Sequence, residues 1–126
     1  MRAVDANVLV RLVTRDDAKQ VKAAEAFVPR GAWVPHLALV EAVWVLTAVY
    51  ALEASEVATA VDMLLNHRDL TLQDSDAVRA ALAHYRRRPG LGFSDCLMLE
   101  VARKAGHLPL GTFDRGLGRL DGAERL

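Results

Sequence analysis

The sequence predicts an α/β protein, and three observations carry that prediction. Short apolar runs at 2–5, 32–34, 70–72 and 108–113 alternate with longer segments of helical periodicity. The helical segments are long enough to serve as crossovers, which parallel strand pairing requires. Of the 126 residues, 52% are hydrophobic, enough to cover a sheet on both faces. The expected architecture is a short central parallel sheet of four to five strands flanked by helices, in one domain over residues 1–126.

The elements follow in order. Residues 2–5 read as a buried first strand ending in Asp5, with Val8, Leu9, Leu12 and Val13 next at helical spacing. Asp16-Asp17 starts a second helix whose apolar face is Val21, Ala24, Phe27 and Val28, closed by Pro29 and Gly31. Ala32-Trp33-Val34 is a strand ended by Pro35, and a long apolar helix fills 36–51. Ser55 caps a further helix with Val57, Val61, Leu64 and Leu65 inward. Leu70-Thr71-Leu72 is the third strand, and Asp74 or Ser75 caps a helix through Arg87. After the Pro89–Gly92 loop, Ser94 opens a helix that ends at Gly106. Leu108 to Phe113 is the fourth strand, and the tail is the place for a short fifth.

Charge and cysteine content narrow the function classes. Sixteen basic and sixteen acidic residues cancel, so no bulk positive field advertises nucleic acid. The basic set is lopsided, thirteen Arg against three Lys, and guanidinium suits phosphate better than ammonium does. A lone cysteine, Cys96, excludes an internal disulfide framework and reads as a small buried residue, since no partner base for a catalytic thiol is evident. The stretch 31–52 carries Glu41 as its single formal charge and is too short in its helical part to span a membrane. The expectation is a soluble cytoplasmic protein.

Four carboxylates stand out of place. In an open parallel sheet, ligands bind beyond the carboxyl ends of the strands. Asp5 ends the first strand and Asp114 follows the fourth. Glu41 lies on the long apolar helix among Leu37, Trp44 and Val45, and Asp95 stands at the start of its helix. Each alone has a plain explanation: a turn residue, an N-cap, an acid favoured by the helix dipole, or, for Glu41, a partner such as Arg11. Glu41 is the hardest to explain away, because burial among apolar residues costs a carboxylate several kcal/mol unless a cation compensates. Gathered at one sheet end, four acids would repel one another, and a divalent ion removes that repulsion. All-oxygen ligation selects Mg²⁺ or Mn²⁺, ions that commonly work on phosphates. His36, His67, His84 and His107 are scattered and read as surface or hydrogen-bonded residues rather than ligands.

At these residues the chain resembles a PIN-domain protein, specifically a VapC-type toxin ribonuclease of a toxin–antitoxin pair. The resemblance is carried by Val4-Asp5-Ala6-Asn7-Val8-Leu9, Leu39-Val40-Glu41-Ala42-Val43-Trp44-Val45-Leu46, Phe93-Ser94-Asp95-Cys96-Leu97 and Thr112-Phe113-Asp114-Arg115. It implies a three-layer PIN fold and a Mg²⁺- or Mn²⁺-dependent endoribonuclease, commonly a homodimer, inhibited by a VapB-type antitoxin. Matched by position, the catalytic and metal-binding quartet is Asp5, Glu41, Asp95 and Asp114, with Asn7 and Thr112 as accessory residues. Asp5 and Asp114 are expected as the most direct ligands, Asp95 as direct or water-mediated, and Glu41 as holding a water or acting as base. Arg115-Gly116-Leu117 follows the fourth acid, where many relatives carry a further polar or acidic residue, so a fifth ligand is missing from the pattern.

The remaining signals are weaker. Arg11, Arg15, Arg86, Arg87, Arg88 and Arg115 are the candidates for RNA phosphate contact. The Arg86–Arg88 run fits a helix C-terminus equally well. Glu100 and Lys104 read as an ordinary i,i+4 surface pair. The helices at 8–13, 36–51 and 55–65 carry more apolar side chains than a small sheet needs, so Trp44 and Tyr50 belong either to a dimer or antitoxin surface or to the core. Competing classes are a phosphate-accepting regulatory domain, which lacks its late-strand Lys here, a haloacid-type phosphatase, which wants D-x-D where this chain has Asp5-Ala6-Asn7, and a PIN-fold binding protein without catalysis.

Overall fold

The first strand is shorter than its apolar run, and that shortening matters for the site. In the computed structural model, which describes residues 1–126, strand β1 is Arg2–Ala3 and helix α1 (Ala6–Thr14) begins three residues later. Val4 still donates to the Trp33 carbonyl at 3.0 Å, so the sheet's pairing runs up to the residue before Asp5. Helix α2 (Ala18–Phe27) follows, capped by Asp17, whose side chain accepts from the Gln20 amide. A 3₁₀ turn at Val28–Arg30 carries Pro29, and Gly31 takes the positive φ of 88° that lets the chain enter β2 (Ala32–Val34). Helix α3 (His36–Ala48), helix α4 (Ala54–Leu65) and strand β3 (Leu70–Leu72) complete this part.

The chain divides into two compact units, Met1–Ser75 and Asp76–Leu126. In the first, β1, β2 and β3 form a parallel sheet in that order, with Ala3 opposite Trp33 and Val34 opposite Leu72. Each crossover is a helix pair, as parallel pairing demands. Of the inward residues read from periodicity, Leu9 and Leu12 on α1, Val21 and Ala24 on α2, Val28 after it, and Val57, Val61, Leu64 and Leu65 on α4 are buried, whereas Val8, Val13 and Phe27 are only half-buried. Helix α4 starts earlier than Ser55: Glu53 is its cap, and Glu53 and Glu56 form a reciprocal capping box.

Helix α5 (Ser75–Arg87) leads into the second unit, which continues with α6 (Phe93–Ala105), β4 (Leu110–Thr112), a 3₁₀ turn at Leu117–Arg119 and β5 (Ala123–Arg125). Gly106 closes α6 in the left-handed region at φ 84°, as its position after the last apolar residue suggested. The expected sheet of four to five strands is corrected here. Three strands form the main sheet, and β4 pairs instead with the tail strand β5, Leu110 opposite Ala123 and Thr112 opposite Arg125. Leu110-Gly111-Thr112 offers one large apolar side chain and is half-exposed throughout, unlike the buried flanks of β2 and β3. The α/β class with parallel strands stands. No helix is long and apolar enough to cross a membrane.

Candidate active site

Asp5 is positioned by its backbone. It sits in extended conformation just past the end of β1 pairing and caps α1, its Oδ1 accepting the Val8 amide at 3.2 Å. The cap explains why an acid is tolerated there, yet it uses one oxygen and leaves Oδ2 without a protein partner. Asn7, two residues on, and Glu41, on the second turn of α3, line the same cavity of about 450 Å³, with Val40, Trp44 and Val45 as its apolar wall. Three of the sequence's candidates therefore share one hollow at the carboxyl end of the sheet.

The reason given for singling out Glu41 needs correction. Its carboxylate is exposed rather than buried, because α3 is apolar on a face that solvent reaches: Leu37 is 69% and Trp44 65% exposed. No desolvation penalty has to be offset, and Arg11 is not its partner. The Arg11 guanidinium is occupied by Gln20, by Asp16 at 3.1 Å and by the Tyr50 hydroxyl at 2.9 Å. Tyr50 in turn donates to Asp16 at 2.6 Å. This network ties α1 to the segments after it and holds the Asp16 carboxyl below the usual range, chiefly through the Tyr50 and Thr14 hydroxyls.

In the second unit, Asp114 follows β4 and is fixed at two points. Its amide donates to the Thr112 hydroxyl at 3.0 Å, and its Oδ2 accepts the Leu117 amide at 2.6 Å. The second bond makes the 3₁₀ turn a continuation of the aspartate's own loop, with Oδ1 left over. Gly116 packs close by, where a Cβ would lie 3.4 Å from Asp114 Oδ2 and 3.0 Å from Leu91. Asp95, in the first turn of α6, has its carboxyl pushed up by burial and then by the negative charge of Asp114. The Cys96 thiol is fully buried and pushed up to about 11, first by desolvation and then by Asp95, so it is no nucleophile.

The arginines divide sharply. Arg15 pairs with Glu25 at 3.1 Å, and Arg11 is spent in the network above. Arg86, Arg87, Arg88 and Arg115 are exposed and make no ion pair. Glu100 departs most from expectation. Instead of a surface residue it is 8% exposed, with its Oε1 2.8 Å from His84 Nε2 and its Oε2 accepting from Arg103 Nε at 2.9 Å. Burial alone would raise the Glu100 carboxyl, but the two hydrogen bonds and the attendant charges hold it below the ordinary value. One signal in the sequence does point there: Phe93, Cys96, Leu97 and Glu100 fall at the spacing of a single helix face.

The PIN domain family model matches residues 2–123. The chain belongs to the PIN domain family. PIN domains are in general nucleases and typically bind divalent metal ions. No curated protein matches the sequence. The donor set suits such an ion: every candidate ligand is a hard oxygen, and in Asp5 and Asp114 one oxygen is tied to the backbone while the other is unengaged. No group of three or more Asp, Glu, His or Cys side chains is drawn together as a metal cluster in the structure.

Proposed function

We propose that this PIN domain, taken as one domain over residues 1–126, is a VapC-type toxin: a Mg²⁺- or Mn²⁺-dependent endoribonuclease neutralised by a VapB-type antitoxin. The observation that carries the reading is the pairing of the four misplaced acids. Asp5 and Glu41 line one cavity in the first unit, and Asp95 and Asp114 are electrostatically coupled in the second. These four acids are the proposed catalytic and metal-binding residues, with Asn7, which lines the Asp5 cavity, and Thr112, whose hydroxyl accepts the Asp114 amide, as accessory residues.

The chain's own residues do the following. Asp5 and Asp114, each pinned through one oxygen by a backbone amide, present the other as preorganised ligands. Asp95, whose carboxyl is pushed up by burial and then by the charge of Asp114, would gain from a nearby cation. Glu41, exposed on the cavity rim, is free to orient an attacking water and accept its proton. The divalent ion, when bound, neutralises phosphate charge and makes water a better nucleophile. Hydrolysis then forms one P–O bond from water and breaks another to the leaving ribose oxygen.

The same reading covers the partners. Leu37, Trp44 and Val49 are each at least 65% exposed on and just beyond α3, an apolar surface suited to a second copy or to the antitoxin. An antitoxin that inserts a basic side chain among the acids would block the ion and the substrate together. The protein is expected to act in the cytoplasm, where RNA is the substrate.

The test is cleavage of an RNA panel with Mg²⁺ or Mn²⁺. Wild type cuts, and Asp5→Asn and Asp114→Asn each lower the rate about a hundredfold or more while folding normally, as expected for losing a directly bound ligand worth several kcal/mol. Equal cleavage by all three, or none by wild type, overturns the reading.

A further inference from the structure

The second unit holds a basic pocket that the four acids do not explain. It has a volume of about 230 Å³ and is lined by His84, Arg87, Arg88, Arg119, Leu120 and Asp121. Arg87 ends α5, Arg88 follows it directly, and the third arginine comes from the 3₁₀ turn at Leu117–Arg119. None of the three has a carboxylate partner. The one acid on the wall, Asp121, faces Arg103 at 3.7 Å.

The helix dipole accounts for Arg87 and Arg88 at the end of α5 but not for Arg119, which belongs to another segment. Three like charges converging on one hollow repel unless an anion joins them. The walls are nonetheless held rigidly. Buried Glu100 takes Arg103 through Oε2, and Arg103 Nη2 donates to the Asp121 carbonyl at 2.6 Å, locking the segment that carries Arg119 against α6. Gly122 takes φ 92°, a region L side chains rarely adopt, and a Cβ there would also lie 3.0 Å from Arg103 Nη2. On the opposite wall, Glu100 Oε1 takes the His84 Nε2–H, and the other ring nitrogen accepts from Arg87 Nη2 at 3.4 Å. One buried carboxylate thus braces both sides.

We propose that this pocket binds a phosphodiester group of the RNA strand, away from the scissile bond, with Arg87, Arg88 and Arg119 as its donors. Guanidinium forks match phosphate oxygens in pairs, and a neutral protein needs such a local concentration of charge to hold a polyanion. The proposal rests on the nuclease reading for the identity of its ligand, but its test does not depend on catalysis.

The experiment measures binding of a fluorescently labelled single-stranded RNA by anisotropy in EDTA, over a series of salt concentrations. Losing one phosphate contact lowers the salt slope by about 0.7 and, at 0.1 M salt, weakens binding about fivefold. Arg119→Ala is expected to show that loss and the triple alanine variant about a hundredfold, while Arg119→Lys recovers part of it. Arg79→Ala removes the same charge from an exposed position of α5 outside the pocket and is expected to change affinity less than twofold. Unchanged affinity and slope in Arg119→Ala and the triple variant, with wild type still cutting RNA, overturns the pocket and leaves the nuclease standing. Arginine-dependent RNA binding by a wild type that never cuts overturns the nuclease and leaves the pocket. If inorganic phosphate at millimolar concentration binds through these arginines while RNA affinity ignores them, the ligand is free phosphate and the proposal fails.

Discussion

The two units of this chain reach their order by different means. The first is an apolar construction: three parallel strands with helix-pair crossovers, whose fully buried side chains include Leu9, Leu39, Leu46 and Leu64. The second contains a two-stranded parallel pair with half-exposed strands, and a buried carboxylate holds α5, α6 and the 117–122 segment together. The comparison teaches where each kind of acid is useful. Asp5, Glu41 and Asp114 cost the fold little, being caps, loop residues or exposed, and so are available for chemistry. Glu100 is fully engaged and is structural.

That contrast can be broken in order of expected effect. Leu39→Ala in the first unit should cost about 3 kcal/mol in urea unfolding, the ordinary range for emptying a fully buried leucine site. Glu100→Ala should cost somewhat less, about 2 kcal/mol, because Arg103 keeps 35% of its side chain in water and is only partly stranded. An effect of Glu100→Ala below a few tenths of a kcal/mol would mean that the network is ornamental.

A smaller effect separates the two by pH. The Glu100 carboxyl lies below its ordinary value when folded, so its contribution is complete above about pH 4.5 and is lost as pH falls through the folded value. The melting temperature of wild type should therefore fall more steeply below pH 4.5 than that of Glu100→Gln, whereas Leu39→Ala should shift the whole curve without changing its shape. Parallel curves for wild type and Glu100→Gln would contradict the assignment.

The smallest expected effect has the opposite sign. Asp95 is held against burial and against Asp114, so Asp95→Asn should stabilise the protein at pH 7 without divalent ions, by less than about 1 kcal/mol. Added Mg²⁺ should stabilise wild type and not the variant, as a ligand bound only to the folded state does. Destabilisation by Asp95→Asn in EDTA would place the residue among the structural acids with Glu100.

What was legible in the sequence follows the same division. The apolar periods of α1, α2 and α4 and the short runs at β2 and β3 located the first unit closely, since burial of one face is what those periods encode. Asp5 and Asp114 stand out in the sequence because an acid just after a strand is conspicuous. Glu41 was chosen on a false premise, burial, since a helix apolar all round does not say which face meets solvent. Glu100 reads in the sequence as a surface residue paired with Lys104, and Arg103 and Arg119 carry no signal, because polar networks leave no period. Their partners come from 16 to 18 residues away, His84 to Glu100 and Arg103 to Asp121. The strand pairing of β4 was likewise out of reach, because a three-residue strand carries no mark of its partner.

The central claim, as proposed above, is that Asp5, Glu41, Asp95 and Asp114 are ligands or positioning acids for a divalent ion. Calorimetric titration of Mn²⁺ into wild type, Glu41→Gln, Asp5→Asn, Asp95→Asn and Asp114→Asn tests it most directly. The account predicts Mn²⁺ binding in wild type that is lost or weakened at least tenfold by removing any one of the four acids. Binding that survives Asp95→Asn and Asp114→Asn undiminished, or survives Asp5→Asn and Glu41→Gln undiminished, would contradict it.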